Sequence, residues 1–341
     1  MKKILIIMIA ITNLVIAQSV TTETIIHNGL ERSYILYVPE SYSENASNPL
    51  ILNLHGYSSN AGQQMIYSDF YNIAETEGFI LIHPEGTVDS NGFQFWNSGD
   101  LFEIDDVGFL STLIDTIASN YNINEDRIYS MGMSNGGFMS YRLACELSDK
   151  IAAIASVTGS MSTTQMNSCN PTNPVPIMQI HGTSDPTVLY SGSLGIAPID
   201  DVISFWVNTN NCITEPIFNI IPDVNLIDFC NAEHYIYNNG NNGSSVELYK
   251  IINGGHTWPG AAIPLVGNNT NQDFNASEKI WDFFNKYDIN GLINNNSQIE
   301  YFETKKTIIK IIDILGRFSN KNGIHLYIYN DGSVEKKHLL K

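Results

Sequence analysis

Gly132-Met133-Ser134-Asn135-Gly136 is a G-x-S-x-G pentapeptide set between an apolar run, Arg127 to Met131, and a helix-like stretch, Ser134 to Leu147. The spacing has a mechanical reason. A serine at the tip of a sharp strand-to-helix turn has its hydroxyl aimed outward, and the residues two before and two after it must lack bulk because the chain passes close to itself. The N-terminus of the following helix favours negative charge. A bare G-x-S-x-G also marks ordinary turns; the strand–turn–helix context makes Ser134 a candidate nucleophile. Such a hydroxyl needs a base, and the base needs a group to orient it. His256, in Gly254-Gly255-His256-Thr257-Trp258, follows the last strand-like run and completes the chain order serine, acid, histidine. Other histidines fit less well. His27 and His83 precede the serine, His181 directly follows a strand and packs in a turn, His234 opens a strand, and His325 and His338 lie in the tail.

The acid is sought in His181-Gly182-Thr183-Ser184-Asp185-Pro186, where Asp185 is favoured over Asp200 and Asp201, which suit a helix start, and over Asp228, near Cys230. Asp185 before proline is also an ordinary turn residue. An acyl-transfer site needs two backbone amides for the oxyanion. Asn135 supplies one. The other comes from Leu54-His55-Gly56-Tyr57, from Tyr57 or Gly56, with Tyr57 preferred. Phe93, Phe95, Trp96, Tyr190 and Trp258 sit near these loops in sequence, and Trp96 and Trp258 are the expected substrate wall; ordinary core packing is the competing reading of each.

These residues need a scaffold. Ser33 to Val38 alternates like an edge strand. Leu50 to Leu54, Phe79 to Ile82, Arg127 to Met131, Ile151 to Val157, Val175 to Ile180 and Val246 to Ile252 are short apolar runs closed by or near glycine, as central parallel strands are. Helices are expected from Asp105-Asp106 toward Ser119, where the acidic pair reads as a cap and not a metal site, from Ser134 to Leu147, and from Glu278 to Tyr287. The alternation predicts an α/β fold, a mostly parallel sheet with helices on both faces. After about Asp288 the composition changes. Gly291 to Ser297 is Asn-rich and reads as a linker. Thr307 to Ile312, Ile324 to Tyr329 and Val334 to Leu340 then read as strands of a small all-β module.

The 341 residues carry a formal net charge of −18, which argues against nucleic acid as a partner. Lys2 and Lys3, the apolar run Ile4 to Ile16 and Ala17 before Gln18 predict a cleaved signal peptide over 1–17, too short to span a bilayer, with no stable membrane insertion after processing. Four cysteines suit an exported chain. Three pairings are open; Cys212–Cys230, the short loop, is the first choice, leaving Cys145–Cys169, with four buried thiols as the alternative. No His/Cys spacing suggests a metal.

From about Thr24 to Lys286 the chain resembles the extracellular polyhydroxybutyrate depolymerase and feruloyl esterase family. The matching segments are Asn53-Leu54-His55-Gly56, His83-Pro84-Glu85-Gly86, Asp105-Asp106-Val107-Gly108-Phe109, Gly132 to Gly137, His181 to Asp185 and Gly255-His256-Thr257-Trp258-Pro259-Gly260. The resemblance implies an α/β-hydrolase over 18–290, a Ser134–Asp185–His256 triad, no metal or organic cofactor, and an ester substrate. It does not distinguish feruloyl esterases, acetylxylan esterases and depolymerases of short-chain polyesters. The family more often has Asp where Glu85 stands. The tail, over 291–341, resembles a different family: Thr307 to Arg317 and Tyr329 to Lys337 are similar to the C-terminal sorting domain of type IX secretion in Bacteroidota. That resemblance implies the type IX secretion machinery as a partner and an extracellular or surface-attached product; a carbohydrate-binding or spacer module is the plainer reading. For the whole, a secreted serine carboxylic ester hydrolase is the first expectation. A serine peptidase of the same fold, or a surface-binding protein with a vestigial triad, are the alternatives.

Overall fold

The computed structural model describes residues 19–99, 103–263, 268–293, 308–313, 317, 323–329 and 334–339. The predicted signal peptide over 1–17 and the Asn-rich stretch from 294 lie outside them, as do Gly316, Asn322, Asp331 and Gly332, which in the sequence mark turns between the tail's expected strands.

Asn28-Gly29, both at positive φ (48° and 79°), joins β1 (Ser19–His27) to β2 (Leu30–Val38) as a two-residue hairpin, the turn that matches strand twist. Next come β3 (Asn48–Leu54), α1 (Ala61–Ser68), α2 (Tyr71–Glu77), β4 (Ile80–Pro84) and a small hairpin of β5 (Thr87–Val88) and β6 (Gln94–Phe95). Asp105 caps α3 (Asp106–Asn120), its carboxylate accepting from Gly108 N, so the acidic pair opens the helix as its sequence suggests. The chain continues through β7 (Ile123–Met133), α4 (Asn135–Glu146), β8 (Ala153–Val157), α5 (Thr163–Ser168), β9 (Ile177–Gly182) and α6 (Ile199–Thr209). It closes with β10 (Ile217–Ile221), β11 (Asn231–Tyr237), β12 (Val246–Ile252), α7 (Ala276–Phe284) and the short pair β13 (Tyr287–Asp288) and β14 (Gly291–Leu292).

The ten-stranded sheet runs β1-β2-β4-β3-β7-β8-β9-β12-β11-β10. From β4 to β12 neighbours are parallel, and the two flanks are antiparallel. Successive side chains of a strand face opposite ways. Leu50, Leu52 and Leu54 therefore join one buried cluster with α3, α4 and α6, while Ile51 joins another with Ile280, Trp281, Phe283 and Phe284 of α7. Every residue of β3, β4, β8 and β9 is buried, which is why these segments read as largely apolar runs, with Asn53, His83, Gln179 and His181 among the buried polar exceptions.

Cys145 of α4 is bonded to Cys169, just past α5 (Cα–Cα 5.1 Å), whereas Cys212 and Cys230 are free and buried. The first-choice pairing Cys212–Cys230 is thus overturned. Loop length suggests it, but Cys212 belongs to the cluster on one face of the sheet and Cys230 to the cluster on the other. The sequence reading also starts the linker at Gly291; in the structure Gly291 and Leu292 pair with Asp288 and Tyr287, and the division into two compact units falls between Ile293 and Asn294. The second unit holds an antiparallel three-stranded sheet, β15 (Ile308–Asp313), β16 (Gly323–Tyr329) and β17 (Val334–Leu339) in that order.

Candidate active site

β7 ends at Met133 and α4 begins at Asn135, so Ser134 alone makes the turn, at φ 53° and ψ −119°. A non-glycine residue there is strained. Its amide donates to Val157 O at 2.8 Å, which anchors the turn to β8. The flanking glycines are sterically required: a Cβ on Gly132 would stand 2.4 Å from Gly136 C, and one on Gly136 would stand 2.1 Å from Leu54 O.

The chain leaving β3 runs past the serine, and a Cβ on Gly56 would lie 3.4 Å from Ser134 Cβ. Gly86 N donates to His55 Nε2 at 2.9 Å, so the His55 proton is on Nδ1, which donates to Gly56 O at 2.8 Å. Ser59 N donates to the same oxygen at 3.1 Å. The Gly56–Tyr57 peptide is thereby fixed through its carbonyl, and the Tyr57 amide meets no acceptor among the described residues. The Asn135 amide, first in α4, has no intrahelical acceptor either. The Asn135 side chain is itself tied down. Its Oδ1 accepts from Trp96 N at 2.6 Å, and its Nδ2 donates to Trp96 O at 3.1 Å and to Ser98 Oγ at 3.2 Å. Behind that loop, Asp106 accepts from Asn97 N at 2.7 Å and from Arg32 Nη2 at 2.8 Å, all three side chains being buried.

Asp185 follows β9 in a tight turn. Its Oδ1 accepts from Thr187 N (2.8 Å) and Val188 N (2.9 Å), and its Oδ2 accepts from His256 Nδ1 at 2.7 Å. Asp185 is thus both the turn residue and the partner of His256. With Nδ1 donating, His256 Nε2 is left as an acceptor. Asn268 Oδ1 holds the His256 amide at 3.0 Å. Asp200 instead accepts from Tyr190 OH at 2.5 Å, Asp201 sits in the first turn of α6, and Asp228 accepts from Cys230 N and Gln272 N.

Ser134 and His256 line one cavity of about 780 Å³, with Tyr57 beside them. No hydrogen bond joins Ser134 Oγ to His256 Nε2 among the described residues; in unliganded sites this contact is often long. The walls are Ile66, Tyr67 and Tyr71 around α1 and α2, Met133, and Ile263, with Ser58, Ser59, Gln63, Gln64 and Asp69 adding polar atoms. Burial pushes the Tyr67 hydroxyl pKa up, and its oxygen accepts from Trp258 N at 3.1 Å. Tyr57 packs on Phe93 at the rim (ring centroids 5.8 Å) and its hydroxyl donates to Asp89 at 2.8 Å.

Trp96 and Trp258 do not line this cavity. Each is 1% exposed, with the indole N–H spent internally, Trp96 on His55 O (3.0 Å) and Trp258 on Ser277 Oγ (3.0 Å). The core reading holds for both, and the α1–α2 wall is what sequence reasoning misses. Its signal is Asn60, which caps α1 by accepting from Gln63 N directly after the Gly56–Tyr57 loop. Among the described residues no group of three or more His, Cys, Asp or Glu side chains could hold a metal ion, and no helix is long and apolar enough to cross a membrane.

A serine on a strained strand-to-helix turn and a later aspartate–histidine pair, set at the ends of a parallel sheet with helices on both faces, define the α/β-hydrolase fold. The phospholipase/carboxylesterase family model matches residues 40–198. Feruloyl esterase B of Piromyces equi is 31% identical over 237 residues, 66% of this chain and 42% of that protein. A bifunctional acetylxylan esterase/xylanase of Neocallimastix patriciarum is 24% identical over 78% of this chain and 35% of its own length. The chain thus spans well under half of either. Among solved structures, an acetyl xylan esterase from Aspergillus awamori covers 78% of this chain and 99% of its own, with TM-score 0.55 at 14% identity, a likeness of fold.

Proposed function

We propose that the chain is a secreted carboxylic ester hydrolase acting on feruloyl or acetyl esters of plant polysaccharides. The observation that carries the reading is the 2.7 Å His256 Nδ1–Asp185 Oδ2 bond beside a cavity that His256 shares with Ser134. The similarity to feruloyl and acetylxylan esterases supports the substrate class.

In this reading His256 Nε2 takes the Ser134 proton as Oγ attacks the ester carbonyl. The Tyr57 and Asn135 amides receive the oxyanion, each such donor being worth roughly 3 kcal/mol of transition-state stabilisation. His256 then gives its proton to the departing alcohol, leaving an acyl group on Ser134. Water, activated by the same nitrogen, releases the acid. The α1–α2 wall receives the acyl side. The basic, apolar N-terminal run and the likeness of the tail to a type IX sorting domain support passage out of the cell.

The test is turnover by wild type and Ser134→Ala on p-nitrophenyl acetate, methyl ferulate, acetylated xylan and polyhydroxybutyrate, with a peptide alongside. Ester turnover lost in the variant supports the reading; cleavage of the peptide alone would replace it with a peptidase.

A further inference from the structure

His181, the penultimate residue of β9, is fully buried and does not line the cavity. Both ring nitrogens are engaged. Gln179 Nε2 lies 2.9 Å from Nδ1. An amide nitrogen can only donate, so Nδ1 accepts and the His181 proton sits on Nε2. The Gln179 amide is held in this orientation from two sides: Tyr141 OH donates to its Oε1 at 2.7 Å, and its Nε2 also donates to Gly159 O at 2.9 Å. Flipping it would set two carbonyl oxygens against each other. At the far side of the ring, Nε2–H donates to Val188 O at 2.8 Å and stands 3.4 Å from Asp185 Oδ2. Val188 N donates to Asp185 Oδ1. Val188 is therefore clamped at both ends, its carbonyl by His181 and its amide by Asp185. Tyr141 is on α4, the helix that Ser134 opens. The relay thus ties the serine's helix to the acid's turn.

We propose that His181, locked in the Nε2–H tautomer by Tyr141 and Gln179, is a positioning residue for Asp185, fixing the Asp185–Val188 turn so that Oδ2 faces His256. This rests on the reading of Asp185 and His256 as the orienting acid and the base. Burial holds the His181 ring below the usual imidazole range, while Val188 O and Asp185 act in the opposite sense. The neutral form suits the role. A neutral N–H steers the carboxylate without setting a second cation beside the imidazolium that forms on His256 during turnover. Tyr190 closes the other side of the ring edge-on at 5.9 Å.

The experiment uses the full chain. His181→Leu removes the N–H, and His181→Gln offers an amide nitrogen near the place of Nε2. The leucine variant should lose about 10- to 100-fold in kcat, the range for losing a group that orients a functional side chain, with KM within about twofold. The acidic limb of its kcat/KM pH profile should move, and the glutamine variant should recover kcat to within about fivefold of wild type. Equal losses in both variants, or an unmoved limb, would make His181 mere packing and overturn the proposal. A second readout needs no activity: in 15N spectra of imidazole-labelled wild type, His181 should stay in the Nε2–H form from pH 5 to 9, and in Gln179→Leu, which takes away the amide donating to Nδ1, the Nδ1 resonance should move while Nε2 keeps its proton against Val188 O. A Nδ1–H or cationic ring in wild type sinks the proposal. Failure of wild type on every ester would instead sink the triad reading, while leaving the tautomer result standing.

Discussion

At Ser134 the backbone conformation of φ 53° and ψ −119° is a cost held in place by the surrounding contacts, of roughly 1–3 kcal/mol for a non-glycine residue. Two substitutions separate that cost from the chemistry. Ser134→Ala and Ser134→Gly should both lower ester turnover by on the order of 10⁶, since each removes the oxygen proposed to attack. Ser134→Gly should melt higher than Ser134→Ala by about 2–4 °C, glycine accepting the turn without strain. Equal melting temperatures by calorimetry would mean the turn is relaxed. Asp185→Asn, which keeps the shape but upsets the tautomer of His256, should cost about 10⁴ in kcat; a silent Asp185→Asn would displace it as the acid. The Ser134 turn is legible in the sequence because its constraints are local: Gly132 and Gly136 answer contacts that any such turn creates. Trp96 and Trp258 mislead because closeness in sequence to a functional loop does not say which way an indole points. Their partners, His55 and Ser277, lie 41 and 19 residues away.

Elements carry the next level of constraint, and the cysteines show what sequence cannot supply there. Cys212 and Cys230 are close in the chain, yet Cys212, after α6, and Cys230, before β11, join clusters on opposite faces of the sheet, which loop length does not reveal. Cys145 and Cys169, 24 residues apart, meet because α4 and the segment past α5 come together. Closing a loop of that length should contribute about 3 kcal/mol. The double variant Cys145→Ala/Cys169→Ala should lose that much in urea unfolding, and thiol titration of unreduced, denatured wild type should find the two free thiols, Cys212 and Cys230. A second element-level device links β11, β12 and the end of α7. Burial alone would raise the Glu247 pKa, but His234 (2.8 Å) and Lys286 (3.1 Å) outweigh it and hold the carboxyl below its usual range. A carboxyl depressed in the folded state adds stability above its unfolded pKa, about 4.3, and loses it as pH falls through the folded value. The stability gap between wild type and Glu247→Gln should therefore be largest above about pH 5 and shrink on acidification. A gap that is flat from pH 6 to pH 3 would show that Glu247 contributes shape and not charge.

On the scale of the whole chain, two compact units meet the sequence's change of composition, with the division after Ile293. The Asn-rich signal marks that change but not its edge, because backbone pairing at Gly291–Leu292 is invisible to composition. Three contacts show where a cut belongs. Ile289 N donates to Asp126 O, Ile293 N donates to Lys286 O, and Gly291 packs so closely on Asn242 that a Cβ would stand 2.0 Å from its carbonyl oxygen. Cutting at 290 would remove the last two, whereas cutting after 293 keeps them. Ser134, Asp185, His256 and the α1–α2 wall all lie before the division. Residues 291–341 carry eight Lys/Arg against five Asp/Glu on a chain of net −18, so the tail differs from the rest in charge balance. A protein ending at Ile293 should therefore keep kcat/KM on p-nitrophenyl acetate within about twofold, and melt within about 2 °C of the first transition of the full chain. If the tail is the sorting domain of the proposed function, the same truncation should stop the protein short of the cell exterior in a host with type IX secretion, as followed by cell fractionation. Truncation that abolishes hydrolysis while the protein still reaches the medium would reverse the assignment, making the tail a part of the catalytic body and leaving export to signals elsewhere in the chain.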